Sequence, residues 1–403
     1  MAPRLWLQPR TVLHRFVCDL LAGELFRQRR AAERRPLPWS EDLDLCEDLG
    51  VDSLELLALA TALAEALHLH ESGVEDYLLM KRRLGDWVDI ADAGLTRFSH
   101  RLTFRTSGST GTPKPCVHAL PALQQEVAYL TTLVPGRRRV LCAVPSHHVY
   151  GFLFTVLLPR ALGISADNVI DIRGSTPSWL GLGASPGDLV IGHPEFWQSV
   201  TRTVPQLPDD IVGVTSTAPC PDSVGEALAG AGLSRLMQIY GSSECAGIGH
   251  RHSHLEPYEL LPHWTFDRDA GRLLRLLPDG SIQVRPCQDH LEWLDERSFR
   301  VGPRADNAVQ VGGINVFPER VREVLKQHPY VRDAAVRLMR PEEGARLKAF
   351  VVLKQEDVSR DDVLMQLRSL IDSELATAER PKAIRFGTEL PMGQQGKPDD
   401  WAT

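Results

Sequence analysis

The chain has 403 residues, 43% hydrophobic and 24% charged, a composition that can bury a core and excludes a generically disordered polymer. Its 45 Lys and Arg against 52 Asp and Glu leave a net charge of −7, which argues against a general nucleic-acid-binding surface. No apolar run approaches the roughly 18 residues of a membrane span, so an integral membrane protein is excluded.

The first sixteen residues, MAPRLWLQPRTVLHRF, carry arginines but no apolar stretch, and no secretory leader is expected. Charge is uneven beyond them: residues 1–40 hold eight Arg against three acids, whereas 41–60 hold seven acids and no base. Val12, Phe16, Leu20 and Leu21 predict an amphipathic helix that Pro36 and Pro38 bring to an end. A second helix is predicted after Asp52-Ser53 from the spacing of Leu54, Leu57, Leu59, Leu63 and Leu67, and a third near Val74 to Leu84. Three helices in ninety residues read as a small bundle.

After Thr96 the texture changes. Short β-rich runs (LTFR, RVLCAV, NVIDI, DLVIGH, IVGVTST, RLMQIYG) alternate with helical ones at Ala122–Leu133, Phe152–Leu162 and Asp222–Leu228, which predicts an α/β sheet domain. A hairpin is predicted to turn at Asp279-Gly280. Past Asp306 the pattern strand, helix (Glu319–Gln327), two strands, helix (Asp361–Leu375), strand reads as a small α+β lid. The predicted division is a helical bundle over 1–92, an α/β core over 96–304 and a mobile lid over 306–403. Seven cysteines (18, 46, 116, 142, 220, 245 and 287), widely spaced and without a C-x-x-C pair, argue against a disulfide framework or zinc site and fit a reducing cytoplasm.

Thr106, Ser107, Gly108, Ser109, Thr110, Gly111, Thr112, Pro113 and Lys114 follow the strand LTFR. Glycines let backbone amides approach phosphate oxygens, and hydroxyls and a lysine add donors. This is not a Walker A loop, because Thr112 and Pro113 separate the glycine from the lysine.

The loop resembles the phosphate loop of the adenylate-forming ligases: acyl- and aryl-CoA synthetases, firefly luciferase and peptide-synthetase adenylation domains. Other family blocks follow in order. Ser146-His147-His148-Val149-Tyr150-Gly151-Phe152 resembles the substrate-site motif, and Ser216-Thr217-Ala218-Pro219 the adenine-side turn. Tyr240-Gly241-Ser242-Ser243-Glu244 is similar to the Y-G-x-T-E block. Arg304 and Asp306, then Val311 to Glu319, resemble the hinge and the block after it, and Pro391 to Lys397 the terminal lysine loop.

The resemblance implies ATP and Mg²⁺ as cofactors. A carboxylate attacks the α-phosphorus of ATP, pyrophosphate leaves, and a thiol then displaces AMP from the acyl-adenylate; cations and fixed donors stabilise the negative charge in both steps. It further implies that Lys397 bridges the carboxylate and the α-phosphate, and that Glu244 serves Mg²⁺. Ser243 would donate to the α-phosphate, Ser216, Ala218, Tyr240 and Gly241 would hold adenine, and Asp289 and Arg304 would take the ribose. Asp295 competes for the ribose role, since Cys287-Gln288-Asp289 stands where the family has T-G-D. Asp306 is the implied hinge and His148 the implied gating aromatic. Amino-acid-activating members place an aspartate in the substrate motif; here Val149 stands there, so an acid without an α-amino group is expected. Val149, Tyr150, Phe152, Gly247 and Ile248 would line a flat aryl pocket, for a hydroxybenzoate or hydroxycinnamate. A medium-chain fatty acid and a non-catalytic adenylation-fold scaffold are the rival readings.

Asp48 to Leu57, with Asp52-Ser53-Leu54 at its centre, resembles the D-S-L motif of acyl carrier proteins, which implies phosphopantetheine on Ser53; a helix cap alone would explain Asp52 and Ser53 but not the whole spacing. The implied thiol acceptor is thus Ser53-bound phosphopantetheine, a separate carrier protein, or coenzyme A. A carrier-like front on a shortened ligase resembles the enzymes of bacterial aryl-polyene pigment pathways. A cytoplasmic location is expected.

Overall fold

The computed structural model describes residues 8–29, 36–106, 114–304, 307–312, 314–340, 343–344, 346–355, 359–391 and 400–401. The chain forms two compact units, one of residues 1–106, 115–287 and 291–301, the other of 107–114, 288–290 and 302–403.

The first unit opens with helices. Helix α1 (Arg10–Gln28) buries Leu13, Phe16, Val17, Leu21 and Leu25 along one stripe. Helix α2 (Ser53–Leu67) starts with a complete capping box, in which the Asp52 side chain accepts from the Leu54 and Glu55 amides while Glu55 accepts from the Asp52 amide. Its buried stripe runs through Leu56, Leu59, Leu63 and Leu67, and Leu54 and Leu57 are 76% and 50% exposed. A helix this rich in leucine offers two candidate stripes, and packing selects one. The third expected helix, near Val74 to Leu84, is present only as the short α3 (Asp76–Leu79), and a further helix that was not expected, α4 (Leu84–Arg97), begins where it was to end. Between them the Leu45 amide donates to Arg82 O and the Leu84 amide to Leu43 O, both 2.9 Å, so this stretch pairs with the 43–45 loop instead of continuing the helix.

Strands β1 (Arg101–Thr106) and β2 (Lys114–Ala119) pair with each other, and α5 (Leu120–Leu133) follows. Next come β3 (Arg139–Cys142), α6 (Val149–Phe152), a π-helical turn over Leu153–Leu157, and α7 (Leu158–Ala161). The sheet continues with β4 (Val169–Asp171), α8 (Leu180–Gly183), β5 (Asp188–Gly192), α9 (Pro194–Thr203), β6 (Val212–Thr215), α10 (Asp222–Gly230), β7 (Arg235–Ser242), β8 (Ala246–Arg251) and β9 (Tyr258–Leu260). A side sheet of β10 (Trp264–Asp267), β11 (Arg272–Leu276) and β12 (Ile282–Pro286) is antiparallel, with Leu276 opposite Ile282 across the expected Asp279-Gly280 turn. With β13 (Asp289–Trp293) and β14 (Ser298–Arg304), the main sheet has nine strands ordered β13-β14-β9-β8-β7-β6-β5-β3-β4. The run β4-β3-β5-β6-β7 is parallel. Its strands are apolar on both faces, as a helix-covered parallel sheet requires.

One continuous apolar core joins Phe16, Leu21, Leu59, Leu63 and Trp87 of the front helices to Phe104, Leu123, Phe152, Val214 and Ile239. The N-terminal helices are therefore packed into the same body as the sheet.

In the second unit β15 (Val309–Val311) pairs with β16 (Ile314–Val316), α11 (Pro318–Lys326) follows, and β17 (Val331–Leu338), β18 (Leu347–Leu353) and β19 (Ala383–Gly387) form a three-stranded sheet with α12 (Arg360–Glu374). Val321, Leu325, Ala349, Val351, Leu367 and Ile371 fill its core. Among the described residues no helix is long and apolar enough to cross a membrane.

Candidate active site

The parallel strands place the sequence motifs. Ser146 to Phe152 follow the carboxyl end of β3, Ser216 to Pro219 that of β6, and Ser243-Glu244 that of β7. In open α/β sheets the crevice outside the carboxyl ends of the strands is where ligands bind. Thr217 in the middle segment has φ of +80°, a sparsely populated conformation for a β-branched residue and a mark of a constrained turn. Ser216 donates its hydroxyl to Ile239 O (2.9 Å), tying this turn to β7 beside Tyr240. Ala218 is half-buried beside it.

The Tyr240 ring is half-buried against Tyr258 (5.8 Å between centroids) and Phe299 (5.6 Å, edge-on). Gly241 is exposed, and the turn Ser243-Glu244 leads into β8. Buried side chains hold the backbone of this turn. His118 donates from Nε2 to Ser243 O (2.6 Å), a carbonyl being able only to accept. Arg275 donates to Cys245 O (3.3 Å), the Gly247 amide donates to Glu126 Oε1 (2.9 Å), and Trp264 Nε1 donates to Gly247 O (2.7 Å). Burial drives the acid–base properties of these groups: it pushes the His118 imidazolium down to about 4 and the Glu126 carboxyl up to about 7. None of these four holders was singled out in the sequence; His118, Glu126, Trp264 and Arg275 sit in ordinary apolar patterns with no motif around them.

At the β3 end, Val149 and Tyr150 are buried, and the Tyr150 hydroxyl donates to Gly192 O (2.9 Å) at the end of β5. Gly151 is fixed by close approach, since a Cβ there would lie 1.8 Å from Pro145 O. His148 stacks obliquely on His147 at 4.1 Å and keeps an open face to solvent, although protein crowds it enough to depress its imidazolium; the Asp19 charge opposes that shift. Phe152, expected to line the acid pocket, is fully buried instead, packed on Phe16 (5.8 Å) and Phe104 (5.4 Å) in the common core. Gly247 and Ile248 are both buried on β8, Ile248 in a cluster with Trp264 and Phe299.

In the second unit the two ribose candidates meet: Arg304 Nη1 lies 3.8 Å from Asp289 Oδ1 and Arg304 Nη2 donates to Gln288 Oε1 (3.1 Å). Asp295, the competitor, accepts from the Arg297 and Ser298 amides in a surface turn, which lowers its carboxyl and gives it a local structural role. Lys114 opens β2 and is exposed. Residues 107–113, Asp306 and Lys397 lie outside the described residues, as does the side chain of Thr106.

Comparison with known proteins decides the family. The AMP-binding enzyme family matches residues 103–279, and the AMP-binding enzyme C-terminal domain matches 321–397. The chain belongs to the adenylate-forming, AMP-binding enzymes. It is 38% identical to a 4-coumarate–CoA ligase of Cereibacter sphaeroides over 100% of this chain and 98% of the relative. It is 40% identical to a 4-coumarate–CoA ligase of Halorhodospira halophila over 95% and 97%. An amide bond synthetase from Marinactinospora thermotolerans shares the fold with a TM-score of 0.61 at 18% identity, over 96% of this chain and 93% of that one. The o-succinylbenzoate CoA synthetase of Bacillus subtilis does so with a TM-score of 0.60 at 19% identity, over 80% and 72%. The protein is thus an ATP-dependent, adenylate-forming ligase.

Mg²⁺ is a hard cation that takes carboxylate, phosphate and water oxygens. Glu244 offers one half-buried carboxylate at the β7 turn, a donor of the right class that leaves the other positions to phosphates and water. Among the described residues the cluster with metal-holding spacing is His68, His70 and Glu71, where Arg101 already pairs with Glu71 (3.1 Å) and Thr103 with His68 (3.0 Å).

Proposed function

We propose that the protein activates a hydroxycinnamate, 4-coumarate in the first instance, as its adenylate and passes the acyl group to the thiol of coenzyme A. The observation that carries this reading is end-to-end similarity to two relatives named 4-coumarate–CoA ligase, front helices included. Val149 in place of an aspartate supports an acid without an ammonium group. The acid carboxylate oxygen bonds to the α-phosphorus as pyrophosphate leaves, and the CoA sulfur then bonds to the acyl carbon as AMP leaves. In this reading residues 106–114 grip the β- and γ-phosphates, Ser216, Ala218, Tyr240 and Gly241 hold adenine, and Ser243 donates to the α-phosphate. Asp289 and Arg304 take the ribose and Asp306 is the hinge. His148 gates the acid, Val149, Tyr150, Gly247 and Ile248 shape its pocket, and Lys397 bridges acid and α-phosphate. Glu244 holds Mg²⁺, which neutralises phosphate charge when bound.

Free CoA is the proposed acceptor in place of a carrier. The capping box accounts for Asp52 and Glu55, and α2 is packed into the ligase core, whereas a carrier must leave its partner to deliver a thioester. On this reading residues 1–92 are a structural part of the ligase, and soluble cytoplasmic chemistry follows from ATP and CoA as co-substrates. ATP–pyrophosphate exchange across benzoic, cinnamic and medium-chain fatty acids, followed by chromatography of the CoA products, tests it. Exchange is expected to be strongest with hydroxycinnamates; exchange confined to alkyl acids, or none with any acid, overturns the proposal.

A further inference from the structure

Helix α1 meets the 146–152 segment along one face. Phe16, Asp19 and Gly23 recur at spacings of three and four, so they share that face. Each touches a different part of the segment. Phe16 packs edge-on against Phe152. Asp19, 3% exposed, accepts from both the Ser146 amide (2.7 Å) and the Ser146 hydroxyl (2.6 Å) through Oδ2. Its other oxygen accepts from Arg173 Nη2 (2.6 Å), an arginine also held by Asp171. Gly23 faces the His147 ring so closely that a Cβ would lie 2.7 Å from Nε2.

A carboxylate this buried is costly unless it is paired and fully hydrogen-bonded, and here three donors satisfy it. Their targets are informative: two are on Ser146, two residues before His148, and the glycine clears space for His147, on which His148 stacks. We propose that Asp19 and Gly23 of the N-terminal helix are positioning residues for the acid site, fixing the Ser146-His147-His148 turn and through it the His148 ring. The front helices thereby complete the ligase site itself. This rests on the assignment of residues 146–152 to the acid.

The test uses the full-length protein and the variants Gly23→Ala, Asp19→Asn and Asp19→Ala. Alanine is the better helix former, by about 1 kcal/mol, so Gly23→Ala preserves α1 and perturbs only the His147 contact. KM for the acid is expected to rise at least about tenfold in Gly23→Ala and Asp19→Ala, with KM for ATP within about twofold and an intermediate effect for Asp19→Asn, which keeps one acceptor for Ser146. Parallel rises in both KM values, or no rise in either, overturn the proposal. Spectra of selectively ¹⁵N-histidine-labelled protein read the turn without any substrate. The His147 and His148 signals are expected to move in Gly23→Ala and Asp19→Asn while those of His118 and His263 stay in place, and unmoved His147 and His148 signals overturn the proposal. If wild type exchanges with no acid, the functional reading fails, and the histidine spectra still decide the positioning role.

Discussion

Glu126 Oε2 lies 3.6 Å from Arg275 Nη2 where neither side chain is more than 2% exposed. The partner oxygen accepts from the Gly247 amide, and the guanidinium donates to Cys245 O, so this ion pair braces both sides of the turn that follows Glu244. A buried pair of this kind is poor evidence of stability, because desolvating both charges offsets their attraction. Its better-supported role here is to hold backbone geometry.

The pair has a pH signature. Burial lifts the Glu126 carboxyl to about 7 from an ordinary 4.5, with Arg275 and the Gly247 amide opposing the shift. A carboxyl raised on folding binds its proton more tightly in the native state, so its contribution to stability is greatest in acid and is lost as pH rises toward 7. Glu126→Gln is neutral at every pH and lacks that loss. The stability of the variant relative to wild type is therefore expected to climb by roughly 2–3 kcal/mol between about pH 5 and about pH 8. Urea unfolding at both pH values measures it; a constant difference contradicts the assignment.

His118 has the opposite sign. Burial depresses its imidazolium to about 4 from 6.5, while its bond to Ser243 O works against that shift. Its contribution is complete above pH 6.5 and is lost as pH falls toward 4. His118→Gln retains an N–H donor without a titrating ring. The expected result is a shallower loss of stability in acid, read by thermal unfolding from pH 7 downward, with KM for ATP close to wild type at pH 7. His118→Ala leaves the Ser243 carbonyl without its buried donor, and KM for ATP is expected to rise about tenfold.

What was legible in the sequence was local. The β-branched runs that became β3, β5, β6 and β7 announced themselves, and the motif residues Ser216, Tyr240 and Glu244 fell at the ends of those strands because such loops are short. The leucine spacing after Asp52 announced α2, yet it could not say which leucines are buried: Leu59, Leu63 and Leu67 are, and Leu54 and Leu57 are exposed. Phe152 was placed in a pocket because its neighbours carry the motif, yet its direction is set by Phe16 and Phe104, both distant in the chain. The bonds from Ser146 to Asp19 and from Gly247 to Glu126 span 127 and 121 residues, and no spacing rule reports pairs that only the fold creates.

The Arg304–Asp289 contact gives a prediction for nucleotide binding. The 3.8 Å pair, with Gln288 on the other guanidinium nitrogen, presents a cation and a carboxylate together. Arg304→Ala and Asp289→Ala are each expected to raise KM for ATP about tenfold or more while leaving KM for the acid within about twofold. Isothermal titration with AMP checks binding directly. Unchanged AMP affinity in both variants removes them from the nucleotide site.

Ser53 is exposed at the first turn of α2, and the cap at that end is made by Asp52 and Glu55. Ser53→Ala is accordingly expected to leave both folding and CoA thioester formation at wild-type levels. Incubation of wild type with a phosphopantetheinyl transferase and CoA should give an unshifted intact mass. A gain of one phosphopantetheine, lost in Ser53→Ala, would restore the carrier reading.

The last prediction concerns the terminal loop. Lys348 is fully buried, donating to Glu343 Oε2 (2.7 Å) and Trp401 O (2.6 Å) and pairing with Asp400 (3.0 Å). Its partners Asp400 and Trp401 stand just beyond Lys397, and Trp401 packs edge-on against Phe350 (5.7 Å). Asp400 and Trp401 are thus clamped to β18. Only adenylation brings the acid carboxylate against the α-phosphate of ATP, so a bridging ammonium matters to that step alone. Lys397→Ala is expected to lower pyrophosphate exchange by at least about a hundredfold, yet to convert pre-formed coumaroyl-adenylate and CoA to thioester at near wild-type rate. Lys348→Met, which releases the clamp, should lower exchange more than thioester formation as well, though less severely. Stopped-flow measurement of each half-reaction separates them, and equal loss of both steps in Lys397→Ala would remove the lysine from the role proposed for it.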